Sequence, residues 1–117
     1  MRNDELSKQS LDFAVSIIGL VKNLKEKRES IIANQIGKSG TSIGANIHEA
    51  QYAQSRQDFI SKLQIALKEA SETGYWLELL RRTEYLSEDE YKSLDHACTS
   101  IRVMLIHSVK TAKTDGE

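Results

Sequence analysis

No proline occurs anywhere in this chain, so nothing in it breaks a helix by ring geometry. Cysteine appears once, as Cys98, which excludes an intramolecular disulfide and any cysteine-based metal cluster. It lies on an apolar helical stripe and is read as a buried packing thiol. Aromatics are few: two Phe, four Tyr and one Trp. Leu, Ile and Ala therefore carry the apolar load, a mix that suits helices better than sheets. No hydrophobic run approaches the roughly 20 residues needed to cross a bilayer as a helix. The opening MRNDELSKQS lacks the apolar core of a secretory signal, and a cytoplasmic location is the expectation.

What remains is the composition of a folded domain, 39% hydrophobic and 28% charged over 117 residues, enough for one core. Net charge is −1 and the pI is near 6.3, so the whole chain is not a polyanion binder. Its charges are nonetheless segregated. Lys22, Lys25, Lys27 and Arg28 cluster against the single acid Glu26, whereas Glu84, Glu88, Asp89, Glu90 and Asp95 oppose only Lys92. Patches of opposite sign steer assembly as readily as they bind outside partners.

Spacing and punctuation predict four helices, at about 5–27, 30–53, 55–84 and 87–112, within one domain spanning 1–117. The first carries Phe13, Ile17, Val21 and Leu24, widened by Ala14, Ile18 and Leu20. The third begins at Ser55 with Asp58 three residues on, and its stripe runs Phe59, Leu63, Ala66, Leu67, Ala70, Leu77 and Leu80. Ser87 and Glu90 make a better capping box for the fourth, whose stripe is Tyr91, Leu94, Cys98, Ile101, Leu105 and Ser108 with Met104 beside it. Short links make neighbours antiparallel, so the expected fold is all-α: an up-down-up-down four-helix bundle, as a rod about 30–40 Å long. The tail from Thr114 to Glu117 is expected to fray.

The second helix holds the most informative segment, GKSGTSIGANIHEA over residues 37–50. Glycine inside a helix costs about 1 kcal/mol relative to alanine, yet Ile32, Ile36, Gly40, Ile43, Ile47 and Ala50 keep helical spacing through three glycines. Gly37-Lys38-Ser39 resembles the end of a phosphate-binding loop, but that motif needs a glycine where Ile32 stands and a strand before it. The segment is therefore a helix with a smooth face for another backbone.

Other chemistry fails on spacing. His48-Glu49 is half of a zinc-protease motif whose second histidine position is Tyr52. No glutamate has histidine three residues later, which removes the di-iron bundle pattern. His48, His96 and His107 share no ligand spacing, and four amphipathic helices supply neither an oxyanion loop nor a nucleophile elbow. No catalytic residue, cofactor or metal is expected. Adjacent Tyr75 and Trp76 point different ways from the helix axis, one toward the core and one toward an edge. Neither alone makes a base-stacking platform.

Ser42, Asn46 and Glu49 form a polar stripe beside the isoleucine stripe, and Arg56, Glu69 and Glu72 on the third helix are candidates to face it. The reading preferred over plain solvent exposure is a polar network at a subunit contact, with Gly37, Gly40 and Gly44 permitting close helix approach. Lys22, Lys25, Lys27, Arg28, Arg81 and Arg82 are the candidate phosphate-contacting patch. The ordinary alternative is a solvated helix surface.

Thr41-Ser42-Ile43-Gly44-Ala45-Asn46-Ile47-His48-Glu49-Ala50, then Ser55-x-x-Asp58-Phe59, Ile65-Ala66-Leu67-Lys68-Glu69-Ala70-Ser71-Glu72-Thr73 and Tyr75-Trp76-Leu77-Glu78-Leu79-Leu80 resemble the four helix bundle protein family. Its members are also called 23S rRNA intervening-sequence proteins, because some are encoded within ribosomal RNA genes. Ala50 stands where that pattern has glycine, from which the second helix is expected to run on past 50. The resemblance implies a ring-shaped homopentamer without known catalytic residues. The accessory variability proteins of diversity-generating retroelements, of the same group, use a basic pentamer to bind a reverse transcriptase and its template RNA. A near-neutral chain departs from those basic relatives, because nucleic-acid affinity comes largely from phosphate neutralisation. The expected function is a non-enzymatic homo-oligomeric scaffold, with helices two and three supplying much of the contact. The alternative is an RNA- or ribonucleoprotein-binding accessory protein.

Overall fold

The computed structural model describes residues 4–115 and contains four helices: α1 (Asp4–Glu26), α2 (Ile31–Ala50), α3 (Arg56–Arg82) and α4 (Glu88–Asp115). No strand occurs among the described residues. Residues 1–3 of the expected domain and the last two of its tail lie outside that range.

Each helix packs on two neighbours, and the diagonal pairs do not meet. Every neighbouring pair runs antiparallel. Gly40 meets Ile17 while Gly44 meets Ser10; Ser39 pairs with Thr73 while Glu49 pairs with Lys62. Arg56 reaches Ala112 while Tyr91 reaches Glu78, and Gln9 bonds Ser100 on the remaining side. The outcome is a four-helix bundle of 49 × 22 × 19 Å. Its long axis exceeds the expected rod of about 30–40 Å.

The core is aliphatic. Leu6, Phe13, Ile17, Leu20 and Leu24 of α1 meet Ile32, Ile36, Ile43 and Ile47 of α2, closed by Leu63, Leu77, Leu80, Ile101 and Leu105. Cys98 sits inside, donating its thiol to the Ala70 carbonyl at 3.4 Å. Burial, the largest influence, pushes that thiol up to about 11, so it is a packing group. One expectation fails: Ile18, expected to widen the core stripe, stands exposed. Ser10 takes an inward position on α1, where α2 comes too near for a large side chain.

Helix ends follow local chemistry. The Ser87 hydroxyl accepts from the Glu90 backbone at 3.1 Å while the Glu90 carboxylate accepts from the Ser87 backbone at 2.9 Å, a complete capping box. At α3 the Ser55 hydroxyl caps Asp58 at 3.0 Å, and the Asp58 carboxylate reaches the Gln54 N–H at 3.2 Å. The α2 entry is capped by the Glu29 carboxylate, which accepts from the Ile32 N–H at 2.6 Å. The α-helical span of α2 stops at Ala50, three residues short of the expected end. Residues 51–53 instead tighten into three-residue bonds, Gln51 to His48, Tyr52 to Glu49 and Ala53 to Ala50. The Gln51 amide also turns aside to donate to the Ser7 hydroxyl at 2.6 Å.

Two links close in Schellman geometry. Glu29 N–H bonds Leu24 and Arg28 N–H bonds Lys25 after α1; Tyr85 bonds Leu80 and Glu84 bonds Arg81 after α3. The left-handed residues are Arg28 (φ 63) and Glu84 (φ 66), and no described glycine has positive φ. A non-glycine residue there costs about 1–2 kcal/mol, partly offset by glycine's freer unfolded state. Arg28→Gly and Glu84→Gly are each expected to raise stability by about 0.5–1 kcal/mol, read as a higher urea midpoint with unchanged slope.

Candidate functional site

The faces of α2 are assigned by what each touches. A Cβ built on Gly40 would come within 2.9 Å of the Ile17 side chain, one on Gly37 within 3.2 Å of Val21, and one on Gly44 within 3.3 Å of the Ser10 carbonyl oxygen. All three contacts belong to α1 of the same chain. The glycine face, expected to admit a second subunit, is thus used inside the bundle. The opposite flank of α2 meets α3, where the buried Thr73 hydroxyl donates to the Glu69 carbonyl at 2.8 Å and shares a hydrogen bond with the Ser39 hydroxyl at 2.9 Å. This polar pair in the core went unread in the sequence, although both residues fall on apolar stripes, Ser39 between Ile36 and Ile43, Thr73 between Ala70 and Leu77.

Ser42 and Asn46 lie half-buried on the α3-facing flank, with Glu49 exposed beyond them. The Asn46 amide bonds back to the Ser42 carbonyl at 2.9 Å, and Glu49 pairs with Lys62 at 3.5 Å. Glu72 accepts from the Trp76 indole at 3.1 Å. Arg56 is elsewhere, donating to the Ala112 carbonyl at the C-terminal end of α4, at 3.1 Å. Among the described residues the six side chains do not join into one network: Asn46 and Glu72 bond within their own helices, and Glu49 and Arg56 take partners outside the set. Tyr75 projects outward while Trp76 packs against the core, their rings edge to face at 5.0 Å.

The basic residues also separate. Glu78 gathers Arg81 and Arg82, accepting from Arg82 at 2.8 Å, and takes the Tyr91 hydroxyl at 3.1 Å. Arg81 extends to Glu88 at 3.1 Å and lies over the Tyr91 ring at 5.0 Å. Lys22, Lys25, Lys27 and Arg28, at the same end of the bundle, make no direct ion pair among the described residues. Of the six candidate patch residues, these four are the ones that no carboxylate engages directly.

Hydrogen bonds from Arg82, then Arg81, then Tyr91 hold the Glu78 carboxyl down to about 2. A depressed carboxylate stabilises the fold above its unfolded pKa, and that contribution is lost as pH falls through the folded value. Thermal melts of the native chain and Glu78→Gln are therefore expected to differ by a constant amount above about pH 5, the gap closing toward pH 2.

Two features on the outside were not foreseen. Leu11, Val15 and Ile18 follow one another along α1 at 66%, 68% and 44% exposure, and Val103 and Ile106 form a smaller exposed pair on α4. Spacing of 4 and 3 residues was the signal for the first, but it lay next to the core stripe and merged with it. The second feature is a cavity of about 380 Å³ at the end of the bundle where Leu6, Ile47, Leu63 and Ala112 of the four helices converge. No cluster of potential metal ligands, and no helix long and apolar enough to cross a membrane, occurs among the described residues.

The 23S rRNA-intervening sequence protein family matches residues 2–107. No functionally curated protein matches the chain. The fold is shared with a crystal structure from Bacteroides thetaiotaomicron, described as a protein with unknown function from the S23 ribosomal protein family. It is 55% identical, with 90% of this chain and 98% of that one covered and a TM-score of 0.88. A family match over nearly the whole bundle, joined to that shared fold, establishes that this chain belongs to the 23S rRNA-intervening sequence protein family.

Proposed function

We propose that the protein is a non-enzymatic scaffold that works as a homo-oligomer, a pentamer in the form the family resemblance implies. The observation that carries this reading is the exposed row Leu11, Val15 and Ile18. Large apolar side chains grouped on one helix mark interaction surfaces, whereas scattered ones do not. A closed ring needs two different complementary patches on each subunit, and the α4 pair Val103 and Ile106 offers the second. The contact is thereby assigned to α1 and α4 in preference to the polar flank of α2 and α3, where Asn46, Glu49 and Glu72 already have partners within the chain. Sedimentation velocity at micromolar concentration tests the assembly. The expected particle is five times the 13.2 kDa chain; a monomer across the concentration range removes the proposal.

A second reading, an RNA- or ribonucleoprotein-binding accessory protein, is favoured by the four unpaired cations Lys22, Lys25, Lys27 and Arg28. One set is weak, but ring repetition multiplies it through avidity. Binding of a single-stranded RNA is then expected to fall steeply with salt, since each neutralised phosphate adds about 0.7 to the log–log slope. Absence of binding at low salt, with the oligomer intact, excludes this reading.

A further inference from the structure

We infer that the cavity at the α2–α3 end of the bundle is a binding site for a medium-chain aliphatic carboxylate. The two ends of the molecule are finished differently. At one, Leu24, Ile32, Leu80 and Leu86 are all buried and fill the space between the helices. At the other, the corresponding layer carries Ala50, Ser108 and Ala112, and about 380 Å³ stays open. Protein interiors normally leave few voids larger than a water molecule, while small-molecule sites begin near about 300 Å³. The floor is aliphatic and aromatic, from Leu6, Ile47, Phe59 and Leu63, and suits a hydrocarbon tail.

The mouth selects the head group. Arg56 and His107 are the ionisable residues lining the cavity, and no carboxylate lines it. Arg56 is held in place because its Nη1 donates to the Ala112 carbonyl. Among the described residues no other hydrogen bond engages that guanidinium, so its Nε–Nη2 edge is free. That edge presents two parallel N–H donors, the geometry that matches both oxygens of a carboxylate. An apolar chamber with one fixed guanidinium at its rim thus reads an anionic head and a hydrocarbon tail together.

Titration calorimetry of the full chain with decanoate, kept below its micelle concentration, tests the site against decanol and acetate. Decanoate is expected to saturate at one per chain, with decanol binding at least about tenfold more weakly, the worth of a charge-assisted hydrogen bond, and acetate not detectably. Arg56→Gln should bring decanoate to within about twofold of decanol, and Ser108→Phe, which fills the chamber, should abolish both. Methyl resonances of Leu6, Ile47 and Leu63 should shift on binding. The inference is overturned if decanoate does not saturate, if decanol binds as tightly, or if Ser108→Phe leaves binding unchanged. The native-chain ligand series and Ser108→Phe decide the matter even where Arg56→Gln fails to fold.

Discussion

Gly40→Val is expected to lower the unfolding free energy by about 2–3 kcal/mol, the cost of overpacking a close helix contact. The Cβ alone would stand 2.9 Å from two carbons of Ile17, a residue with no exposed surface. Ile17 is β-branched and stiff at χ1, and it is enclosed by the core, so it has no free rotamer into which to yield. Either α1 lifts from α2, opening space along the whole interface, or the side chains leave their preferred torsions. The same chemical direction has the opposite sign at Gly19 and Gly74, where an added Cβ meets nothing within 4 Å. Gly19→Ala and Gly74→Ala should each gain up to about 1 kcal/mol from helix propensity alone. Urea unfolding of the three variants at one fixed protein concentration separates the effects. A Gly40→Val chain as stable as the native one would show that close approach of α1 and α2 is not what this glycine provides.

Replacing Leu11 and Val15 together by glutamate is expected to dissolve the assembly while leaving the bundle folded. Both side chains are exposed in the single chain, so the substitution removes nothing from the core. In the proposed ring each is covered by a neighbour. Losing their apolar burial costs about 3 kcal/mol per contact, roughly 100-fold in association, before the penalty of placing carboxylates in an apolar interface. Sedimentation should show monomers with native helicity by circular dichroism. Unchanged particle mass would move the contact away from α1.

Much of this was legible beforehand, for identifiable reasons. The four helices follow from 3.6-residue periodicity and from Ser55 and Ser87 as caps, all local signals. Their ends were less legible: past Ala50 the backbone tightens into three-residue bonds, while the Gln51 side chain reaches Ser7, a residue 44 positions away in sequence. The glycines were recognised as a close-approach face, but periodicity names a face without naming its neighbour. That neighbour is α1, through Ile17, Val21 and Ser10. Ile18 misled because it lies next to Ile17, and a stripe only one residue wider would have buried it. The Ser39–Thr73 pair escaped since hydroxyls on an apolar stripe carry no sign of whether a partner waits across the helix boundary. Of the candidate site residues, Arg81 and Arg82 lost their availability to Glu78, three and four residues away, a pairing the sequence spacing did contain. The cavity was invisible because it needs four helix ends, far apart in sequence, to leave space together.

In the proposed ring a second copy of the chain covers Leu11, Val15 and Ile18. Isotope-filtered nuclear Overhauser measurements on a mixture of labelled and unlabelled protein observe that contact directly. Intermolecular signals are expected at the methyl groups of these three residues, with partners among the α4 side chains Val103 and Ile106. An assembled particle whose intermolecular signals arise from other faces, or a chain that gives none at all, would contradict it.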